Sequence, residues 1–165
     1  MPSIKAKPAN PPAEEAFREL IRTLGLLERV MQPYFARHGI SGSQWGVLRA
    51  LHRAEGDGIL GLRQTDLSER LLVRPPSVTG ALDRLERAGL VSRGGSATDH
   101  RAKLVRLSAK GRHLVEHVLT GHHDQIEAVM AGLRTNEQAD LYRLLHRLRE
   151  HLEQFLARGV AANAG

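Results

Sequence analysis

Apolar positions along the chain recur at helical spacing in nearly every segment, and the few breaks mark where elements meet. From Glu14 to about Arg37, Phe17, Leu20, Ile21, Leu24, Leu27, Val30, Met31 and Tyr34 trace one stripe, which predicts a long helix whose end Pro33 kinks. Ser41-Gly42-Ser43-Gln44 has the spacing of a capping box and opens a second helix to about Ala54, followed by a turn at Glu55 to Gly58. Leu67, Leu71 and Leu72 form a short third stripe that stops at Arg74-Pro75-Pro76, where two prolines end one helix and open another at its first turn. In that next helix Val78, Leu82 and Leu85 make the apolar stripe; Ser77, Thr79, Arg84 and Arg87 lie off it, and Gly89 is placed for a left-handed cap.

The period then changes from helical to alternating. Leu90-Val91-Ser92-Arg93 and Lys103-Leu104-Val105-Arg106-Leu107 read as two strands joined by a tip rich in Gly, Ser, Asp and Arg. Ser108 is the expected N-cap of a further helix, residues 108–133, softened near Gly121. Thr135-Asn136-Glu137-Gln138 is a second capping-box spacing, and Leu141, Leu144, Leu145, Leu148, Leu152, Phe155 and Leu156 follow at intervals of three and four. A helix this rich in leucine at the end of a small domain calls for a partner surface. Residues 1–13, with four prolines and two lysines, predict a flexible arm, and the small-residue tail at 158–165 is expected to fray.

Composition narrows the function more than the fold. At 165 residues and 41% hydrophobic the chain suits one domain with a sizeable core, taken as residues 14–157. No apolar run approaches the roughly 20 residues of a membrane span, and the N-terminus lacks the core of a secretory signal, so a cytoplasmic protein is expected. The absence of cysteine removes thiol oxidation as a sensing chemistry. The net charge of +6 is concentrated: between Gly61 and Lys110 ten Arg or Lys side chains face five acidic ones. A basic stretch on two short helices and a hairpin is the electrostatic footprint expected for a duplex.

These motifs together resemble the winged-helix regulators of the MarR type. The resemblance runs through QWGVLRAL (Gln44 to Leu51), DLSERL (Asp66 to Leu71), PSVTGALDRLERAGLVSR (Pro76 to Arg93), Asp99-His100-Arg101 and VRLSAKG (Val105 to Gly111). It implies a mainly α protein with a winged helix-turn-helix DNA-binding lobe (residues 41–110) carrying a short β-hairpin wing. A linking helix at 108–133 follows, and terminal helices at 14–38 and 135–157 form a dimerisation lobe by intertwining with a second copy. It further implies a homodimeric repressor of double-stranded DNA, released by a small ligand. Gly80 stands where many relatives carry arginine, so one contact to phosphate or base is expected to be absent.

The candidate DNA-contacting residues are Arg74, Pro76, Ser77, Thr79, Arg84, Arg93, Asp99, Arg101 and Lys103. Ser77 and Thr79 suit bases or phosphates, Arg74 and Arg84 suit phosphates, and the helix N-terminus near Pro76 is expected to lend free N–H groups. The resemblance implies that Arg101 on the wing enters the minor groove while Asp99 orients it. Trp45, Arg49 and His52 project from one helix face. The resemblance implies a crevice for aromatic acids or phenols, and Tyr34, His38, Trp45 and Arg49 are its expected lining, an aromatic wall with a cation nearby.

His113-Leu114-Val115-Glu116-His117 matches the inverted zinc-protease signature. Hydrolysis would need a third ligand and a substrate groove that no other motif supplies, so no enzyme, catalytic residue, cofactor or resident metal is expected. A zinc-responsive regulator using His113, His117 and His38 is the alternative within the same resemblance, and a DNA-organising protein without sequence preference is the alternative outside it.

Overall fold

The computed structural model describes residues 12–95 and 103–163, with side chains to 159. The chain divides into two compact units, Met1–His123 and Asp124–Gly165.

In the first unit the order is α1 (Pro12–Ala36), α2 (Gly42–Gly56), β1 (Leu62–Arg63), α3 (Gln64–Leu71), α4 (Pro75–Arg87), β2 (Val91–Gly95) and β3 (Lys103–Leu107), then α5 (Ala109–Met130), which runs on past His123. The strands form one antiparallel sheet in the order β1-β3-β2, with Leu62 opposite Val105 and Val91 opposite Leu107. Its inward residues Leu62, Val91, Val105 and Leu107 join Leu48, Leu51, Leu67, Val78, Leu82, Leu85 and Val115 in one core. The alternation read along both longer strands is therefore the pleat of a sheet with one covered face.

Local chemistry fixes the joints. Ser41 caps α2 through a complete capping box, its Oγ accepting from Gln44 N–H while Gln44 Oε1 accepts from Ser41 N–H at 2.9 Å. Gly89, at φ +70°, is the left-handed residue that turns the chain out of α4. Ser108 Oγ accepts from Gly111 N–H at 2.9 Å and donates to Gly89 O at 2.7 Å, so one hydroxyl caps α5 and ties it to the end of α4. Arg112 makes a two-pronged bond to Glu55 at 2.8 and 3.0 Å, fastening α5 to α2.

Several boundaries differ from the sequence expectation. Helix α1 starts at Pro12, not Glu14, and continues through Pro33 to Ala36. Helix α2 runs through Gly56, which moves the following turn to Asp57 and Gly58. Leu72 is not on the core stripe: it is the left-handed C-cap of α3 and 74% exposed. Helix α5 passes through Gly121 without interruption and stops at Met130.

In the second unit α6 (Thr135–Asn163) follows the end of α5. Its cap sits one residue earlier than the sequence spacing suggests, since Arg134 N–H donates to Glu137 Oε2 at 2.8 Å and Arg134 O accepts from Gln138 N–H. The helix extends to Asn163, past the point where the small residues were expected to fray. Leu144, Leu145, Leu148, Leu152, Phe155 and Leu156 are all exposed along it. In α1 only Tyr34 and Phe35 are buried, and Phe17, Ile21, Leu24, Leu27 and Val30 are exposed.

Candidate nucleic-acid interface

Helix α4 is the centre of the site because its two faces are so unlike. Val78, Ala81, Leu82 and Leu85 are at most 1% exposed, whereas Arg74, Ser77, Arg84 and Arg87 on other faces are exposed. The burial pins the helix against α2 and α3, so the outward side chains are held on a rigid element. Arg84 extends over Gly80, where a Cβ would lie 3.7 Å from its Nη1. The space left by the missing side chain at position 80 is thus partly used by the guanidinium one turn on.

The N-terminus of α4 corrects one expectation. Pro75 and Pro76 occupy its first positions and have no N–H, and Ser77 and Val78 direct theirs to Arg74 O at 3.0 and 3.4 Å. Pro76 therefore shapes the start of the helix without offering a donor, and the expected amide cradle for phosphate is not formed.

Thr79 is also committed within the protein. Its hydroxyl donates to Pro75 O at 3.0 Å and accepts from Gln64 Nε2 at 2.5 Å, which brings the first residue of α3 onto α4. Arg93 is held still more firmly: Nη2 meets Asp83 Oδ1 at 2.6 Å and Nη1 lies 3.6 Å from Glu86 Oε2, with the side chain 26% exposed. Its guanidinium bridges β2 to α4 in a partly exposed ion pair. Lys103, the first residue of β3 and opposite Gly95, is exposed. Asp99 and Arg101 lie outside the described residues.

Two contributors escaped the sequence reading. Gln64 carried no apolar or cationic signal, and its role depends on packing between α3 and α4. Arg106 donates from Nε to Leu60 O at 2.9 Å and from its Nη atoms toward Gly95 O at 3.4–3.5 Å, tying the wing strands to the segment before β1. Strand β1 itself is only Leu62–Arg63, too short to show a period.

The expected effector lining is not a single open wall. Trp45 is buried, stacked on Phe35 at 5.7 Å and edge-on to His122 at 5.2 Å. Tyr34 is buried too, and its hydroxyl donates to Val118 O. Arg49 is half-buried with Nη1 3.1 Å from His52 Nδ1; since a guanidinium only donates, that nitrogen accepts. Burial, and then the charge of Arg49, hold His122 below the ordinary imidazole pKa, and its Nδ1 is buried with no protein partner.

His38 belongs to a different cleft of about 450 Å³, shared with Lys110, His113 and His117. Its ring lies 5.3 Å from that of His117, and burial, then His117 and Arg37, lower its pKa. Among the described residues no three His, Cys, Asp or Glu side chains are grouped so as to hold a metal ion. A larger groove of about 860 Å³ runs between α1, α2 and α4, lined by Leu24, Leu27, Met31, Val47, Val78 and Ala81 among others. None of Tyr34, His38, Trp45 and Arg49 lines it.

A winged helix-turn-helix lobe with cations around its second helix and along its hairpin defines a class of DNA-binding proteins. The MarR family profile matches residues 38–102. The HTH-type transcriptional repressor YetL of Bacillus subtilis is 33% identical over 141 residues, covering 86% of this chain and 83% of that protein. The regulator PecS of Dickeya dadantii is 25% identical over 133 residues, covering 81% and 79%. A mutant MarR from E. coli complexed with operator DNA matches with a TM-score of 0.71 and 25% identity, over 81% of this chain and 93% of that one. The chain belongs to the MarR family and is a DNA-binding transcriptional regulator. The family is not enzymatic, so the His113 to His117 motif lies on a helix of a regulator and not in a hydrolase. No helix among the described residues is long and apolar enough to cross a membrane.

Proposed function

We propose that the protein is a homodimeric repressor that occupies a pseudo-palindromic operator in the cytoplasm and is released by a small aromatic or phenolic ligand. The observation that carries the DNA reading is α4, clamped by its apolar face and presenting Arg74, Ser77 and Arg84 outward. Placed in the major groove, Arg74 and Arg84 bind phosphate, Ser77 reaches backbone or base, and Lys103 follows the backbone from the first residue of β3. Arg101 enters the minor groove with Asp99 orienting it, and Arg93 with Pro76 sets the geometry of wing and helix. YetL is named a repressor and the E. coli MarR mutant is complexed with operator DNA, which supports the same use of this lobe.

The dimer reading is supported by the large apolar residues left exposed at helical spacing on α1 and on α6. Two-fold symmetry then places half-sites about 34–36 Å apart. For the effector, the half-buried Arg49 beside Trp45 and His122 is the cation an aromatic acid would meet, with Tyr34 against His122 and His38 next to Tyr34 in the neighbouring cleft. Such a ligand acts only if it binds the released state more tightly than the DNA-bound one.

Equilibrium binding to a selected operator and to scrambled DNA, over a salt series, tests the reading. A preference of about a thousand-fold or more for operator is expected. Equal affinity for both duplexes would instead identify a DNA-organising protein.

A further inference from the structure

The Gln64–Thr79 bond has a polarity that can be worked out. A threonine hydroxyl has one hydrogen, and that of Thr79 is directed to Pro75 O at 3.0 Å. The group facing Thr79 Oγ1 at 2.5 Å must then be an N–H, which fixes the Gln64 amide with Nε2 toward Thr79 and Oε1 turned away. Among the described residues no side chain or backbone group bonds Oε1, and Nε2 keeps a second hydrogen. Thr79, by contrast, has no hydrogen left to donate. Its hydroxyl holds another side chain in place.

An amide with one acceptor and one N–H side by side is complementary to the major-groove edge of adenine, which offers an N6–H donor beside the N7 acceptor. We propose that Gln64, from the first residue of α3, is a specificity-determining residue of the DNA interface, accepting from N6 and donating to N7 of one adenine in each half-site. Thr79 is its positioning residue. The inference rests on the sequence-specific reading above. It assigns the readout to a helix that otherwise only supports α4, and it removes Thr79 from the groups that read a base by donating to it. The pre-set amide orientation favours adenine over guanine, whose O6 and N7 are both acceptors and would meet Oε1 with repulsion.

The test is selection from a randomised duplex library by the full-length wild type, Gln64→Ala, Gln64→Glu, Thr79→Val and Thr79→Ser, each checked for an unchanged thermal transition. Wild type and Thr79→Ser should enrich an A·T pair at one symmetric position of each half-site. Gln64→Ala, Gln64→Glu and Thr79→Val should lose that preference by about ten-fold per half-site while keeping the rest of the motif. If Gln64→Ala keeps the wild-type motif at every position, or weakens all sequences alike as loss of a phosphate contact would, the assignment is overturned. If Thr79→Val alters a different base pair from Gln64→Ala, Thr79 reads its own base and the positioning role falls. A wild type that enriches no motif would overturn the sequence-specific reading and this assignment with it.

Discussion

At the scale of single residues, two helical glycines should respond in opposite directions. A Cβ on Gly111 would lie 2.0 Å from Leu90 O, a carbonyl already accepting from Ser108 N–H, so neither atom has room to move without undoing the junction of α5 with β2. Gly111→Ala should destabilise the fold by about 2 kcal/mol or more in urea unfolding. Gly80 meets only Arg84 at ordinary contact distance, so Gly80→Ala should stabilise α4 by about 0.5–1 kcal/mol. If the two variants unfold at the same midpoint, the close approach at Gly111 is not what holds that junction. His122 gives the pH counterpart. Tyr34 and Phe35 from α1 and Trp45 and Arg49 from α2 face it, and none of them supplies a carboxylate. Its folded pKa is below the 6.5 of a free imidazole, so its contribution is fully present above about pH 6.5 and is lost as pH falls, when the unfolded chain takes up a proton that the native state resists. His38 shifts the same way and adds to the slope. Urea midpoints at pH 7.5 and 5.5 should therefore diverge less for His122→Gln than for the wild type; an equal divergence would remove His122 from the account.

At the scale of elements, Arg93 decides whether β2 and α4 behave as one piece. Its pairing with Asp83 and Glu86 is partly exposed, so Arg93→Ala should cost only about 1 kcal/mol of stability. Its effect on DNA affinity should be larger and equal for all sequences, because the wing would lose its fixed attitude to the recognition helix. Asp83→Ala separates this from direct phosphate contact. A latch predicts weaker DNA binding when Asp83 is lost, with the double variant no worse than either single; a phosphate-binding Arg93 predicts stronger binding once it is released. These connections mark what the chain could and could not reveal in advance. Helix α4 was legible because Pro75-Pro76, the Val78, Leu82 and Leu85 stripe, and Gly89 all specify the same element. The strand pair was legible by alternation, but β1 was not, since two residues carry no period. The cap of α6 lies one residue before the spacing predicts because Arg134 has no acceptor side chain of its own to announce it, and Glu137 supplies the bond instead. The tertiary partners were hidden for a general reason. Periodicity tells which face of a helix turns inward but not which residue it meets, so the spacing of Trp45 does not announce its packing on Phe35 and His122.

For the whole molecule, the decisive quantity is the apolar surface that each unit leaves uncovered. In α6, Leu145 and Leu148 are 42% and 39% exposed, between the still more exposed Leu144 and Leu152, and the residues of α1 from Phe17 to Val30 repeat the pattern. Surface of this extent on two long helices favours association with a second copy, and a stripe this regular matches an interface built from helices. Replacing Leu145 and Leu148 together by Glu would bring four carboxylates into a two-fold interface, and each would have to be desolvated or protonated to remain there. The wild type should sediment as a dimer at micromolar concentration, and the double variant should sediment as a monomer or unfold. Exchanging two exposed polar positions of the same helix, Arg147→Glu with Arg158→Glu, introduces the same number of acids off the leucine stripe and should leave the dimer intact. In the proposed dimer each lobe would grip one half-site, so the monomeric variant should lose operator preference far more than it loses affinity for random duplex. A wild type that remains monomeric at micromolar concentration yet still prefers its operator would show that the lobe acts alone and that the exposed leucines serve some other contact.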